Sequence, residues 1–108
     1  MGLQRFFQKS SLIPVVIQDW DSNEVLMLGY TNKEALSLTL KTRTAWFWSR
    51  GRNCLWNKGE TSKNFLHVQE ICYDCDEDTL LYRCKPDGPT CHTGERSCFY
   101  RILEEEDL

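Results

Sequence analysis

The chain has 108 residues, an apolar share of 41% and a formal net charge of −3. This length suits one hydrophobic core and is too short for two, so residues 1–108 are expected to form a single domain. The negative charge argues against a nucleic-acid-binding protein, and no apolar run approaches the roughly 18 residues that cross a membrane. The amino terminus lacks a secretory pattern, which predicts a cytoplasmic protein whose six cysteines stay reduced.

The hydrophobic pattern predicts mainly β structure, an α+β fold with one or two helices. Stretches rich in β-branched and aromatic residues alternate with polar or glycine-containing turns. The expected strands lie at residues 12–18, 25–30, 44–49, 65–73, 79–84 and 98–103. Loops are expected at residues 50–53, 57–63 and 86–94, because Gly, Pro and Asn interrupt the apolar pattern there.

One helix is indicated between the second and third strands. Thr31 followed by Glu34 has the spacing of a capping box, in which the two side chains bond free amides at the start of a helix. The apolar residues that follow are spaced to lie on one helical face. They are Ala35, Leu36 and Leu40, and the helix is expected to end near Lys41.

The first group of residues suited to chemistry is the acidic stretch at residues 74–78. In an extended chain, side chains two positions apart point to the same face, so Asp74, Asp76 and Asp78 would converge. Three adjacent carboxylates repel one another, and a hard cation that prefers oxygen ligands, such as Mg²⁺, relieves the repulsion. The alternative interpretation of such a charge run is a solvated acidic turn.

The second group lies in and after a loop bounded by glycine and proline. Cys91 and His92 lie in this loop, and Cys98 follows it. Thiolates suit a borderline-soft cation such as Zn²⁺, and with Cys75 upstream three of them would leave the fourth tetrahedral position open for water. An open position is typical of a catalytic zinc site, in which His92 would be a candidate general acid or base.

A different interpretation combines Cys72 with the same three cysteines. The spacing Cys-x2-Cys-x15-Cys-x6-Cys is then that of a closed, structural tetrathiolate site in a binding module without catalysis. On spacing alone the two interpretations are nearly equal. The residues by themselves therefore leave both a catalytic and a structural zinc site open.

The third group combines basic, aromatic and hydroxyl side chains in residues 46–63. Guanidinium, ammonium and hydroxyl groups suit a phosphate, and an aromatic ring can stack on a base. The alternative interpretation is an ordinary aromatic core strand with basic loop ends. The candidate substrate contacts are Arg50, Arg52, Lys58, Thr61 and Ser62.

Taken in chain order, these groups resemble the phosphoribosyl-AMP cyclohydrolase family, the ring-opening enzymes of histidine biosynthesis. The resemblance extends from about residue 12 to residue 100. Its most specific parts are Lys58-Gly59-Glu60-Thr61-Ser62, Asp74-Cys75-Asp76 with Asp78, Cys91-His92-Thr93-Gly94 and Ser97-Cys98-Phe99. Two positions depart from it: Lys63 stands where that family usually has glycine, and Gly51 stands where serine is common.

This resemblance implies an enzyme that hydrolyses the N1–C6 bond of the adenine ring of 1-(5-phosphoribosyl)-AMP with a zinc-activated water. It implies Zn²⁺ on Cys75, Cys91 and Cys98, and Mg²⁺ on Asp74, Asp76 and Asp78. The implied fold is a barrel-like folded sheet in an interlocked homodimer, where Cys75 completes the zinc site of the partner subunit. Cys72 lies outside the pattern of that family, which weighs against the tetrathiolate site.

Overall fold

Six strands and one α-helix make up the main regular structure that a computed structural model gives for residues 2–108. The strands are β1 Ile13–Asp19, β2 Val25–Thr31, β3 Trp46–Ser49, β4 Cys54–Asn57, β5 Leu66–Tyr73 and β6 Leu80–Pro86. The helix α1, Lys33–Thr42, lies between β2 and β3, and short 3₁₀ helices span Gly2–Phe7 and Glu105–Asp107. The fold is therefore mainly β, as the hydrophobic pattern predicted.

Four of the strands form one mixed sheet with the order β2-β1-β6-β5. β1 pairs antiparallel with β2 and parallel with β6, and β6 pairs antiparallel with β5. β3 and β4 form a separate antiparallel hairpin. The expected barrel-like closure is wrong, because β2 leads into the helix and the hairpin strands pair with each other, so in residues 2–108 the two edges of the sheet do not meet.

The core lies on one face of this sheet. In β1, Ile13, Val15 and Ile17 are at most 2% exposed, while the residues between them are half-buried, as the alternation of side chains in a strand requires. Phe47 of the hairpin and Tyr82 of β6 belong to the same buried cluster. The hairpin is thereby fixed against the sheet through side chains.

The helix begins differently from the prediction. Asn32 is the N-cap in place of Thr31, and its Oδ1 accepts a hydrogen bond from the Ala35 amide at 2.8 Å. Thr31 is the buried last residue of β2. Ala35 and Leu36 are buried as predicted, whereas Leu40 is 39% exposed.

Five of the six predicted strands are present, and the strand expected at residues 98–103 is wrong. The Cys98 amide donates to the Leu26 carbonyl at 2.8 Å, after which residues 99–103 make no backbone hydrogen bond to the described sheet. Phe99, Ile102 and Leu103 are all exposed in the single chain. No helix in the part of the chain that the structure describes is long and apolar enough to cross a membrane.

Candidate active site

The acidic stretch connects β5 to β6 as a closed turn. The Asp74 amide donates to the Thr79 carbonyl at 3.1 Å, and Asp74 Oδ1 accepts hydrogen bonds from the amides of Asp78 and Thr79 at 3.0 and 3.1 Å. The extended conformation predicted here is therefore wrong, because an Asp side chain can cap a turn by accepting from amides further along. The three carboxylates still converge: oxygens of Asp74, Asp76 and Asp78 lie within 4.8 Å of one another.

A lysine from the amino-terminal segment lies at this carboxylate cluster. Lys9 Nζ is 3.1 Å from Asp76 Oδ2 and 3.1 Å from Asp78 Oδ2. Hydrogen bonding to these two carboxylates raises the pKa of Lys9. The ammonium group shows that positive charge is accommodated here, and carboxylate oxygens are the donors that Mg²⁺ prefers. The residues present therefore fit a hard divalent cation.

The thiols of Cys91 and Cys98 lie close enough for each to affect the pKa of the other. Thr93 Oγ1 donates to Cys91 Sγ at 3.0 Å, and this hydrogen bond is the main reason that the pKa of Cys91 is lowered. Burial raises the pKa of Cys98, and the positive charge of Lys58 opposes that rise. Because zinc binds the thiolate form, the lowered pKa favours Cys91 as a zinc ligand, and the neighbouring Cys98 thiol is suited to be a second one.

A tight loop places Cys91 in this position. The Cys91 amide donates to the Glu95 carbonyl at 3.1 Å, and the Gly94 amide donates to the Cys91 carbonyl at 3.0 Å. Gly94 has φ of +93°, a conformation that side chains other than glycine rarely adopt. The glycine that follows Cys-His-Thr in the sequence therefore lets the loop close beneath the first thiol.

The other two candidate zinc ligands lie elsewhere. Cys75 is exposed in the acidic turn, and Cys72 lies on β5, where its Sγ is 3.8 Å from Glu70 Oε1. Across residues 2–108, the three aspartates form the only group of three or more metal-ligating side chains with ligand atoms within 4.8 Å. One chain therefore assembles neither the three-cysteine site nor the four-cysteine site.

A cavity of about 340 Å³ opens beside the cysteine loop. Among the predicted site residues, its lining includes Lys58, Thr61, Ser62, Cys91 and His92. The loop that carries the first three is closed by the Lys63 amide, which donates to the Gly59 carbonyl at 2.7 Å. An ammonium, two hydroxyls, the Cys91 thiol and the His92 imidazole thus face the same space.

The two predicted arginines are not part of this lining. The Arg52 guanidinium lies 5.9 Å from the centre of the Trp56 ring, and Lys58 Nζ lies 5.5 Å from the same ring. Arg50 instead lies 3.8 Å from the ring of Tyr30, in a separate depression between β2 and the hairpin. Arg52 therefore neighbours the cavity through Trp56, whereas Arg50 belongs to a different surface.

The lining also includes residues outside the predicted set of site residues, among them Trp56, Asn64 and Thr90. Asn64 Nδ2 donates to the Pro89 carbonyl at 3.4 Å and so joins the two loops, and a Cβ on Gly88 would lie 2.7 Å from Asn64 Oδ1. Thr90 is 1% exposed, and its hydroxyl has no hydrogen-bond partner within residues 2–108. Only the position of Thr90 next to Cys91 could have indicated it from the sequence.

Comparison with known proteins identifies the family. A family model described as phosphoribosyl-AMP cyclohydrolase matches residues 27–100, a range that contains every predicted site residue. The chain belongs to the phosphoribosyl-AMP cyclohydrolase family. It is therefore an enzyme, a hydrolase that acts on a C–N bond.

Curated relatives match almost the whole chain. The phosphoribosyl-AMP cyclohydrolase of Clostridium botulinum (strain ATCC 19397 / Type A) is 54% identical over 95% of this chain and 99% of its own length. The phosphoribosyl-AMP cyclohydrolase of Archaeoglobus fulgidus is 56% identical over 94% of each chain, and that of Cenarchaeum symbiosum is 51% identical over 91% of each. The resemblance carried by the sequence motifs is thus confirmed.

Proposed function

We propose that this protein hydrolyses 1-(5-phosphoribosyl)-AMP in histidine biosynthesis and opens the adenine ring at the N1–C6 bond. Membership of the family supports the reaction class. One observation carries the assignment of the site. A single cavity is lined by Lys58, Thr61 and Ser62 from one loop and by Cys91 and His92 from another. Groups that bind phosphate therefore face groups that bind a metal and move protons.

We assign the phosphoribosyl end of the substrate to the first loop. The ammonium of Lys58 and the hydroxyls of Thr61 and Ser62 supply hydrogen bonds to phosphate oxygens. The loop is held in shape by the Asn57 amide, which donates to Glu60 Oε1 at 2.8 Å. Trp56 lines the same cavity, and its ring offers a surface on which the purine can stack.

Cys91 and Cys98 are assigned to Zn²⁺, with the partner subunit's Cys75 as the third ligand. The support is that Cys91 and Cys98 are adjacent, whereas Cys75 of the same chain does not join them. When bound, Zn²⁺ would lower the pKa of a bound water to about 7 and so supply hydroxide at neutral pH. A homodimer that shares this site follows from the assignment.

The acidic turn is assigned to Mg²⁺, held by Asp74, Asp76 and Asp78. Because Cys75 lies between two of these aspartates in the sequence, a shared zinc site would bring the carboxylate cluster close to the thiols. The negative charge of the substrate phosphates would then be offset by a divalent cation on one side and Lys58 on the other. Lys9 would have to leave the two carboxylates when the cation binds.

His92 is assigned the proton transfers at the purine. Ring opening requires a proton at the ring nitrogen that leaves, and an imidazole can donate or accept a proton near neutral pH. His92 lines the cavity directly after Cys91, so its ring is next to the proposed reaction centre. The same side chain can return its proton to solvent, because His92 is exposed.

A metal analysis combined with an assay on 1-(5-phosphoribosyl)-AMP tests the proposal. The wild-type protein should contain zinc and open the adenine ring. Cys91→Ala should lose zinc and turnover, whereas the matched control Cys72→Ala should retain both. If Cys72→Ala loses zinc as readily as Cys91→Ala, the zinc site is the structural tetrathiolate and the catalytic assignment is wrong.

A further inference from the structure

A buried carboxylate lies at the end of β1, close to the segment that carries Cys98. The side chain of Asp19 is only 4% exposed. Its Oδ1 accepts hydrogen bonds from the amides of Asp21 and Ser22 at 2.8 and 3.2 Å, and its Oδ2 accepts one from Arg96 Nη2 at 2.7 Å. A charge this buried requires such partners, so Arg96 is strongly held at this position.

Arg96 makes a second ion pair with the same turn. Its Nε donates to Glu24 Oε1 at 2.6 Å, so the guanidinium joins carboxylates at both ends of the turn between β1 and β2. The planar guanidinium has its donors in fixed directions, and two carboxylate partners therefore fix its orientation as well as its position.

The backbone of Arg96 and the two residues after it connect this ion pair to both cysteines. Ser97 is buried, its Oγ donates to the Val25 carbonyl at 2.7 Å, and the Cys98 amide donates to the Leu26 carbonyl at 2.8 Å. The Arg96 carbonyl accepts a hydrogen bond from the amide of Thr90, the neighbour of Cys91, at 3.2 Å. Arg96 is thus the point at which the two cysteine-bearing segments meet.

We propose that Arg96, anchored on Asp19, is a positioning residue that holds Cys91 and Cys98 at the spacing required by Zn²⁺. The inference rests on the zinc assignment of the proposed function and adds that the β1–β2 turn fixes both thiols before the metal arrives. Pre-organised ligands lose less conformational freedom when the metal binds, and residues that orient ligands typically change metal affinity 10- to 100-fold.

Zinc affinity, measured by competition with a chromophoric chelator, tests this role without any assay of turnover. Arg96→Ala should weaken Zn²⁺ binding about 10- to 100-fold, and the thiolate absorption of bound Co²⁺ should weaken in parallel. Arg96→Lys should restore part of the affinity, because an ammonium can pair with Asp19 but lacks the fork that reaches Glu24 as well. Because Arg96→Ala leaves the buried Asp19 carboxylate without its cation, the fold of each variant is checked by circular dichroism. If Arg96→Ala does not fold, the comparison is made with Arg96→Lys, which keeps the charge and should still bind Zn²⁺ more weakly than the wild type.

Arg83→Ala is the matched control. Arg83 Nη2 also bonds the β1–β2 turn, through Asn23 Oδ1 at 3.0 Å, but its side chain makes no hydrogen bond to the cysteine segment within residues 2–108. Arg83→Ala should therefore bind zinc like the wild type. The inference is overturned if Arg96→Ala keeps wild-type affinity, or if both variants lose affinity equally. A wild-type protein without zinc would instead overturn the proposed function.

Discussion

The acidic turn and the cysteine loop differ in how much of a metal site one chain builds. The turn brings three carboxylates within 4.8 Å through hydrogen bonds between residues four or five positions apart. The cysteine loop and the segment that follows it bring the thiols of Cys91 and Cys98 together. The ion pair between Asp19 and Arg96, which holds that segment, joins residues 77 positions apart. The carboxylate cluster depends only on hydrogen bonds within its own turn. The thiol site depends on contacts between distant parts of the chain and, in our proposal, on a second subunit.

Mixing two inactive variants is the strongest test of this difference. Cys75→Ala and Cys91→Ala should each be inactive as homodimers, because each lacks one ligand in both zinc sites. In a heterodimer, one of the two sites would draw all three cysteines from intact positions. About half of the wild-type activity per heterodimer should therefore return, measured after the subunits are exchanged and the mixed dimer is isolated.

A heterodimer of Cys91→Ala with Cys98→Ala is the control for this experiment. These two cysteines lie close together in one chain and belong to the same site in our assignment, so no site in that heterodimer would be complete. If the first heterodimer forms and stays inactive, all three ligands come from one chain, and the contrast between the two regions disappears.

The contrast between local and long-range contacts also explains which features could be predicted from the sequence. The ligand types and spacing identified Asp74, Asp76 and Asp78 as a cluster, and they converge in the structure. The extended conformation was wrong because the side chain of Asp74 competes for the amides of Asp78 and Thr79, a local effect that alternation ignores. The types of residue therefore predicted the carboxylate cluster correctly, whereas the backbone conformation predicted for it was wrong.

Long-range pairs could not be predicted at all. Nothing in the sequence links Asp19 to Arg96. They meet because β1 pairs with β2, and because Ser97 and Cys98 bond the backbone of β2. The strand expected at residues 98–103 failed for a related reason. Apolar residues there indicated burial, but the segment bonds β2 only through Cys98 and then leaves the sheet. Composition predicts that a segment prefers burial without saying what covers it.

The next largest expected effect is on KM, after substitution of Lys58 in the loop assigned to the substrate phosphate. Lys58→Ala should raise KM about 10- to 100-fold, because a charge-assisted hydrogen bond contributes roughly 1.5–3 kcal/mol. The measurement is steady-state kinetics on 1-(5-phosphoribosyl)-AMP. Lys85→Ala, at an exposed position of β6, removes the same charge away from the cavity and should leave KM unchanged. Equal effects of both substitutions would show that overall charge, not this loop, attracts the substrate.

The assignment of Mg²⁺ to the acidic turn is tested by removing the Lys9 ammonium, which pairs with two of its carboxylates. Mg²⁺ competes with the Lys9 ammonium for Asp76 and Asp78, so Lys9→Met should bind Mg²⁺ about two- to fivefold more tightly in a calorimetric titration. Arg5→Ala is the control, since Arg5 pairs with Glu77 and with none of the three ligands. Weaker binding by Lys9→Met would mean that Lys9 orders the carboxylates for the metal instead of competing with it.

The smallest expected effect concerns Lys63, whose amide closes the loop that carries Lys58, Thr61 and Ser62. Lys63 has φ of 70°, a left-handed conformation that glycine adopts without strain, and the resembling family usually has glycine at this position. Lys63→Gly removes a cost of roughly 1–2 kcal/mol from the folded state but adds about 0.5–1 kcal/mol of chain entropy to the unfolded state. The free energy of unfolding in urea should therefore rise by up to about 1.5 kcal/mol. Lys63→Ala keeps the backbone strain and removes only the charged part of the side chain, so it should not stabilise the protein. If Lys63→Ala stabilises as much as Lys63→Gly, repulsion of the Lys63 charge, and not backbone strain, lowers the free energy of unfolding of the wild type.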